Sequence, residues 1–225
     1  MTLSAENPTE QTMHEGRQRG NRGNPVHDED TDRRDDASLP LCGVRILDLT
    51  RYLSGPYATL LLAEMGAEVI KVEVPESGDD TRHIAPMQGD VSFYHSSINR
   101  SKSSVEVDLK SEQGRKLVHA MVADCDVFIQ NFRTGVAERL GFGHDELSKI
   151  NPRLVYCSIS GFGRTGPDSR RAAFDLIVQA ESGVMSLNGE GDRPPSKLGL
   201  PVADLSSGMF AVQGILAALL GRSRT

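Results

Sequence analysis

The fold is decided by two short β-prone runs, Gly43-Val-Arg-Ile-Leu-Asp-Leu-Thr50 and Glu68-Val-Ile-Lys-Val-Glu73. Both runs are rich in the aliphatic residues that favour strands. Between them, Gly55-Pro56 introduces a helical pattern that extends from Tyr57 to Gly66. Proline suits the first turn of a helix, and glycine suits its carboxyl end. The stretch therefore predicts a strand–helix–strand unit, in which two parallel strands are joined by a right-handed crossover.

The same alternation continues further along the chain. A helix is predicted from Ser111 to Asp124, where apolar residues recur at helical spacing, and helical turns are predicted at about 134–150. Three more strands are predicted, at Ser104–Asp108, Asp126–Gln130 and Leu154–Ser160. Strands that alternate with helices indicate the α/β class.

The last fifty residues have a different pattern. The segment from Asp175 to Met185 is apolar and predicted to be helical, and a loop rich in glycine, proline and acidic residues follows from Asn188 to Lys197. A long apolar helix is then predicted from Ala203 to Leu220. Ligand sites in open α/β sheets lie beyond the carboxyl ends of the strands. We therefore expect the site to be formed by the loops that follow the strands.

Length and composition restrict the class of protein. The chain has 225 residues, 38% of them hydrophobic, which suffices for a sizeable core. No apolar run approaches the ~20 residues of a transmembrane helix, and the N-terminus lacks a signal-peptide core, so no membrane association is expected. The three cysteines fall in neither paired nor metal-like spacing, which argues against disulfides and zinc. These features favour a cytoplasmic protein.

The charge is unevenly distributed. Residues 1–39 contain nine acidic and five basic residues and almost no aliphatic ones, so we expect a disordered charged tail. Residues 40–225 contain 22 acidic and 20 basic residues and are nearly neutral. A nearly neutral body lacks the basic field that nucleic-acid binding requires, so no nucleic-acid partner is expected.

Two carboxylates are candidate reactive groups. Asp204 lies at or near the start of the last apolar helix, where an aspartate is either a structural N-cap or an anion that the helix terminus stabilises. A carboxylate nucleophile must be ionised, so the second alternative is compatible with covalent catalysis. Asp175 has a similar position and is a candidate cap, orienting group or general acid/base.

Several motifs occur in uninterrupted order over roughly residues 40–225. They are Leu47-Asp-Leu-Thr50 with Gly55-Pro56, Gly66-Ala-Glu-Val-Ile-Lys-Val-Glu73, Gly78-Asp-Asp-Thr-Arg82, Asn99-Arg-Ser-Lys102, Val107-Asp-Leu-Lys110, Gln130-Asn-Phe-Arg133, Asn151-Pro-Arg-Leu-Val155, Ser160-Gly-Phe-Gly163, Phe174-Asp175, and Pro201-Val-Ala-Asp204 through to Leu219. Each motif is weak alone, and the ordered set is specific. Together they resemble the class III CoA-transferase family (CaiB/BaiF family).

The resemblance implies a Rossmann-like parallel sheet with flanking helices, in a large domain that a small domain accompanies, and two chains interlocked as a homodimer. Residues 40–225 would then be the N-terminal segment of the large domain, without the small domain and the C-terminal return segment. The implied substrates are an acyl-CoA and an acceptor carboxylic acid, with coenzyme A as the carried group and no metal. Asp204 would be the nucleophile that attacks the thioester.

The resemblance also implies contacts to coenzyme A. One loop would line the thiol-bearing arm, four further positions match those that hold the adenine, ribose and phosphates, and Arg82 is an additional candidate. Lysine and arginine suit the phosphates by charge. At the position where the formyl-CoA member of the family has glutamine, this chain has Leu53. This difference puts specificity for oxalate or formate in doubt. The arm residues are Tyr52, Leu53 and Ser54, and the head-group residues are Lys110, Asn131, Phe132 and Arg139.

Two alternatives remain open from the sequence. The family also contains α-methylacyl-CoA racemases, which move a proton with a histidine and an aspartate. The aspartate matches Asp204, whereas the histidine position is Phe174, which cannot move a proton. The second alternative is an inactive truncated fragment or one half of a split enzyme, because family members extend well beyond residue 225.

Overall fold

The computed structural model describes residues 38–189, 193–222 and 224. The charged tail predicted to be disordered lies almost entirely outside these residues. The strands are β1 Arg45–Asp48, β2 Glu68–Glu73, β3 Met87–Gln88, β4 Val91–Ser92, β5 Ser103–Glu106, β6 Val127–Gln130 and β7 Val155–Ser158. The helices are α1 Ser54–Glu64, α2 Phe93–Asn99, α3 Glu112–Ala123, α4 Val136–Arg139, α5 His144–Ile150, α6 Asp175–Glu181 and α7 Val202–Arg222.

Five of the strands form one parallel sheet in the order β5-β2-β1-β6-β7. The chain first builds outward from β1 through β2 to β5 and then returns to the other side of β1 with β6 and β7. Such a reversal opens a crevice at the carboxyl ends of the two central strands, where ligands bind in this class of fold. The predicted α/β class and parallel sheet are confirmed, and the crevice lies between the loops after β1 and β6.

The decisive strand–helix–strand unit forms as the sequence predicts. Pro56 lies in the first turn of α1, and Gly66 follows the helix with a φ of +99°, a left-handed conformation that glycine adopts without strain. β1 and β2 pair in parallel, with Leu47 opposite Ile70. The predicted crossover is therefore present.

Helices cover the sheet on both faces. On one face, α1 and α7 pack over Ile46, Val69 and Val127, which are at most 2% exposed. On the other face, α3 to α5 pack over Leu47 and Phe128, which are completely buried. Alternate residues along each strand supply the two faces, because successive strand side chains point in opposite directions.

The connection between β2 and β5 is structured. It contains a 3-10 helix over Asp80–His83, the antiparallel pair β3–β4 and helix α2. The sequence analysis predicted no helix or strand between Glu73 and Ser104. Short strands and single turns carry too few periodic residues to be recognised from a pattern.

Helix α7 is longer than expected and begins earlier. It has 21 residues and is long and apolar enough to cross a membrane by length and composition alone, which the sequence analysis did not expect. The buried residues of α7, Gly208, Val212 and Ile215, face α1 and the sheet, whereas most of the other residues of the helix are exposed or half-buried. Because α7 begins at Val202, Asp204 lies in its first turn and is not its N-cap.

Candidate active site

Two adjoining cavities open at the carboxyl ends of β1 and β6. The first has a volume of about 440 Å³ and is bordered by the loop after β1, the loop after β6, and the starts of α6 and α7. The second has a volume of about 470 Å³ and lies on the side of β2 and β5. Arg51, Phe132 and Val136 border both cavities. The site is therefore one crevice with two compartments, at the position that the topology predicts.

Asp204 borders the first cavity from the first turn of α7. Burial, and then the negative charge of Asp175, raise the pKa of Asp204 from 3.8 to about 6. The sequence analysis expected the helix terminus to favour the anion, but desolvation and the second carboxylate outweigh that effect. The carboxylate is still mainly ionised at neutral pH, so it can act as a nucleophile.

Asp175, and not Asp204, caps the amino end of α7. Its Oδ1 accepts hydrogen bonds from the backbone N–H groups of Ala203 and Asp204, at 2.8 and 3.2 Å. Its Oδ2 accepts from the Gln179 side chain at 2.5 Å. Of the roles the sequence left open, the geometry therefore supports cap and orienting group.

The predicted arm-binding residues border the same cavity as Asp204. Tyr52 has a φ of +65°, a left-handed conformation that is uncommon for a residue with a side chain. Its ring lies edge-on to Phe174 at a centroid distance of 6.0 Å. Leu53 and Ser54 are nearly buried and begin helix α1. The loop is thus held in one unusual conformation at the edge of the cavity.

Buried charges beneath the sheet edge hold this loop. Lys71 Nζ donates to the Thr50 carbonyl and contacts the Asp79 carboxylate, both at 2.8 Å, and is 2% exposed. Lys102 Nζ donates to the Pro56 carbonyl at 2.9 Å. The two lysines therefore fix the loop at both of its ends.

Asp48 compensates these buried cations. Its carboxylate accepts from the backbone and hydroxyl of Thr50, at 2.8 and 2.5 Å, and lies 3.5 Å from Lys102 Nζ. Burial opposes ionisation of Asp48, but the charges of Lys102 and Lys71 lower its pKa below 3.8. Burial likewise lowers the pKa of Lys102 to about 8. The pairing of the Asp48 carboxylate with buried lysines rigidifies the loop, because water cannot replace a lost partner at a buried position.

Asn131 joins the two central loops to each other. Its Oδ1 accepts from the backbone N–H of Arg51 at 2.9 Å, and its Nδ2 donates to the carbonyl of the same residue at 2.7 Å. Asn131 was predicted to contact coenzyme A, and it borders the first cavity. Its amide also fixes the backbone of Arg51 from both sides.

The second cavity collects most of the predicted head-group residues. Lys110, Phe132 and Arg139 border it, and Val72, Val107 and Leu109 contribute apolar surface. Two cations beside apolar and aromatic walls can hold a flat aromatic ring and its phosphates. The structure thus brings Lys110, Phe132 and Arg139 together over a distance of 29 residues in sequence.

Arg82 is placed differently from the other predicted residues. Its guanidinium donates to both carboxylate oxygens of Glu73, at 2.7 and 2.6 Å, and it borders neither of the two cavities. Burial opposes ionisation of Glu73, yet the Arg82 and Ser104 hydrogen bonds lower its pKa to about 2. Arg82 is therefore engaged by a buried carboxylate.

Gly161 lies in the glycine-rich loop after β7, one of the loops expected to form the site. It borders the first cavity. A Cβ at this position would lie 2.0 Å from the Cβ of Ala173. The close approach is therefore to the segment that leads into Phe174, and it fixes the position of that segment.

The comparison with known proteins identifies the family. The sequence model of CoA-transferase family III matches residues 41–225. The chain belongs to CoA-transferase family III. Within family III it is 47% identical over 191 residues to succinyl-CoA:glutarate CoA-transferase of Mus musculus, which covers 84% of this chain and 44% of the mouse protein. It is 48% identical over 187 residues to acetyl-CoA:oxalate CoA-transferase of Acetobacter aceti, covering 83% and 48%.

Solved structures agree with this membership. A CaiB/BaiF family protein from Brucella suis superposes with a TM-score of 0.79 at 43% identity, over 83% of this chain and 50% of that protein. The resemblance to the family stated from the motifs is confirmed. The chain spans about half the length of the curated family III relatives it matches.

Three site residues escaped sequence reasoning. Arg51 was part of a candidate loop but was not singled out, and Lys71 and Asp48 were assigned only to strands. A signal for the last two existed: a lysine and an aspartate within central parallel strands that are otherwise aliphatic. For Arg51 no signal existed, because only the tertiary structure places it beside both cavities.

Proposed function

We propose that this chain carries the CoA-binding and nucleophile-bearing part of a CoA-transferase, which moves CoA between an acyl-CoA and a carboxylic acid. The observation that carries the proposal is the shared crevice. An ionisable, half-buried carboxylate, Asp204, borders one compartment, and the cations Lys110 and Arg139 border the other. The relatives named above transfer CoA between acids according to their names, which supports the same reaction class here.

The ligand lies along the crevice in this proposal. The adenosine 3′-phosphate head of the acyl-CoA occupies the second cavity, where Phe132 supplies an aromatic face and Lys110 and Arg139 supply charge. The arm passes the loop Tyr52–Ser54 and brings the thioester to Asp204 in the first cavity. This placement combines the predicted contacts with the order of the two compartments.

The first half of the reaction transfers CoA from the donor acyl group to the enzyme through a mixed anhydride. The Asp204 carboxylate attacks the thioester carbonyl, the C–S bond breaks, and a mixed anhydride and CoA thiolate result. The thiolate then attacks the Asp204 carbonyl of the anhydride. The donor acid leaves as its carboxylate, and an aspartyl-CoA thioester remains.

The second half reverses these steps with the acceptor. The acceptor carboxylate attacks the aspartyl thioester carbonyl and releases CoA thiolate, which gives a new mixed anhydride. The thiolate attacks the acyl carbonyl of the acceptor, and the product acyl-CoA and free Asp204 carboxylate are formed. Leu53 and Phe174 line this compartment.

A homodimer and a cytoplasmic location remain predictions of the same proposal. Racemase chemistry receives no support from the geometry. Phe174, at the position of the racemase histidine, is 60% exposed beside Tyr52 and carries no group that can transfer a proton.

Trapping of the acyl-enzyme tests the proposal. The chain is incubated with acetyl-CoA or succinyl-CoA and hydroxylamine, and hydroxamate is measured above the enzyme-free rate. We expect the wild type and the exposed control Asp90→Asn to form hydroxamate, and Asp204→Asn to form none. No hydroxamate from a folded wild-type chain would contradict the proposed activity of this chain.

A further inference from the structure

Among the residues that the structure describes, Arg51 is the cation that borders both compartments of the crevice. Lys110 and Arg139 border only the second compartment, and Arg133 and Arg171 border only the first. A ligand whose head lies in one compartment and whose reactive end lies in the other crosses the boundary that Arg51 forms with Phe132 and Val136. Arg51 therefore lies nearest to the part of such a ligand that joins the head to the arm.

The backbone of Arg51 is fixed, whereas its side chain is held by an ion pair with Asp80 that solvent reaches. Asn131 bonds the backbone N–H and carbonyl, and Lys71 holds the preceding Thr50 carbonyl. Arg51 Nη2 lies 2.6 Å from Asp80 Oδ2, and the two side chains are 39% and 43% exposed. Exposed ion pairs contribute little to stability, so this one can be exchanged for another anion at small cost.

Asp80 lies outside both cavities. It therefore draws the guanidinium toward the edge of the crevice. An arginine fork binds phosphate as readily as carboxylate, and a diphosphate offers more charge and more acceptor oxygens than one carboxylate. A diphosphate between the compartments would thus compete with Asp80 for Arg51.

We infer that Arg51 binds the diphosphate of the acyl-CoA, and that Asp80 occupies Arg51 in the empty site and is displaced when the ligand binds. The inference rests on the proposed function and adds a binding residue and a built-in competitor to it. Asp80 then lowers the affinity for CoA by holding the guanidinium away from the ligand. Arg51 is a binding residue in this account and takes no part in the bond-making steps.

Equilibrium binding of CoA to the chain, measured by calorimetry, tests this exchange. We expect Arg51→Gln to weaken CoA binding about 10-fold, in line with the loss of one charge-assisted contact. Asp80→Asn is expected to strengthen binding by about 3-fold, because it releases the guanidinium. In the Arg51→Gln background, Asp80→Asn should have no effect. An equal effect of Asp80→Asn in both backgrounds would overturn the exchange.

Truncated ligands identify the bound group. Pantetheine lacks the diphosphate, so Arg51→Gln should leave its binding unchanged. Dephospho-CoA keeps the diphosphate and lacks only the 3′-phosphate, so Arg51→Gln should weaken its binding as much as that of CoA. Loss of the effect with dephospho-CoA would assign Arg51 to the 3′-phosphate and overturn the inference. Equal weakening of pantetheine would show a structural defect and overturn it as well.

Arg45→Gln is the matched control. Arg45 forms a similar exposed ion pair with Glu68 at 2.9 Å, at the amino ends of β1 and β2 and away from the crevice. The affinity of Arg45→Gln for CoA should equal that of the wild type. If the wild type binds CoA and Arg51→Gln binds it equally well, this inference alone is overturned. Absence of CoA binding to any folded variant would overturn the proposed function together with it.

Discussion

Asp175 Oδ1 accepts a hydrogen bond from the backbone N–H of Asp204 at 3.2 Å, across 29 residues of sequence. The same carboxylate acts on Asp204 in two ways. It caps the helix that carries the nucleophile, and its negative charge, added to burial, raises the pKa of that nucleophile. Position and reactivity of Asp204 are thus coupled through one neighbour.

The pH dependence of acyl-enzyme formation follows from this pair. Only the anion of Asp204 attacks, and its pKa is about 6, so hydroxamate formation should rise as the pH increases through 6 and level off above 7. Asp175→Asn keeps an oxygen that can accept the capping bonds but removes the charge. We expect the inflection of the rate profile to move to lower pH in this variant. An unmoved inflection would contradict electrostatic coupling between the two carboxylates.

The buried lysine beneath the first loop should dominate local stability. Lys71→Met leaves Asp79 as an uncompensated buried charge and frees the Thr50 carbonyl, so the free energy of unfolding should fall by about 3–5 kcal/mol. Urea unfolding at pH 7 measures the loss, and Asp79→Asn in the same background should recover part of it. Lys116→Met, in an exposed ion pair with Glu112, is the control and should cost less than about 0.5 kcal/mol. Equal losses in Lys71→Met and Lys116→Met would refute this ranking.

The Glu73–Arg82 pair predicts a pH-dependent contribution to stability. The pKa of the Glu73 carboxyl is about 2 in the folded chain, against an ordinary value of 4.5. The contribution of the pair to the free energy of unfolding is therefore complete above pH 5 and is lost as the pH falls toward 2. Glu73→Gln should lower the free energy of unfolding at pH 7 by about 2 kcal/mol, and the gap to the wild type should narrow between pH 5 and 3. Glu68→Gln, in the exposed pair with Arg45, should show neither effect. Parallel curves for wild type and Glu73→Gln would disprove the linkage.

Two glycines in the same helix should respond oppositely to alanine. A Cβ at Gly208 would lie 2.7 Å from the Ser54 carbonyl oxygen, so Gly208→Ala pushes α7 away from α1 and should destabilise by about 1–3 kcal/mol. Nothing lies within 4 Å of a Cβ at Gly214, where alanine should stabilise by about 0.5–1 kcal/mol through helix propensity. Because Asp204 lies on α7, hydroxamate formation should fall only in Gly208→Ala. A stabilised Gly208→Ala would show that the two helices adapt to the added methyl group.

Much of the fold was readable from local patterns. The strand–helix–strand unit carries its own signals, with Pro56 in the first turn of α1 and Gly66 after its end, and strong periodicity predicted α3. The pair β3–β4 was missed, because elements of two residues have no period. The last helix was placed to within two residues at each end, but the residue that caps it, Asp175, comes from elsewhere in the chain.

The candidate site divides in the same way. The motifs pointed to Asp204 and to the loops that line the crevice, and the structure does bring Lys110, Phe132 and Arg139 to one cavity. Asp175 was recognised as a capping residue, but not as the cap of α7, because that contact joins residues on two separate helices. Arg82 was expected near the ligand, and instead the buried Glu73 engages it.

The sequence by itself determined the alternation of strands and helices, the family and the identity of the candidate nucleophile, because these depend on neighbouring residues and on motif order. Only the tertiary structure decided the pKa of Asp204 and the position of Arg51 between two compartments. Desolvation and charge act over a few ångströms in space, and the groups that exert them lie 29 residues apart in the chain for both Asp175–Asp204 and Arg51–Asp80.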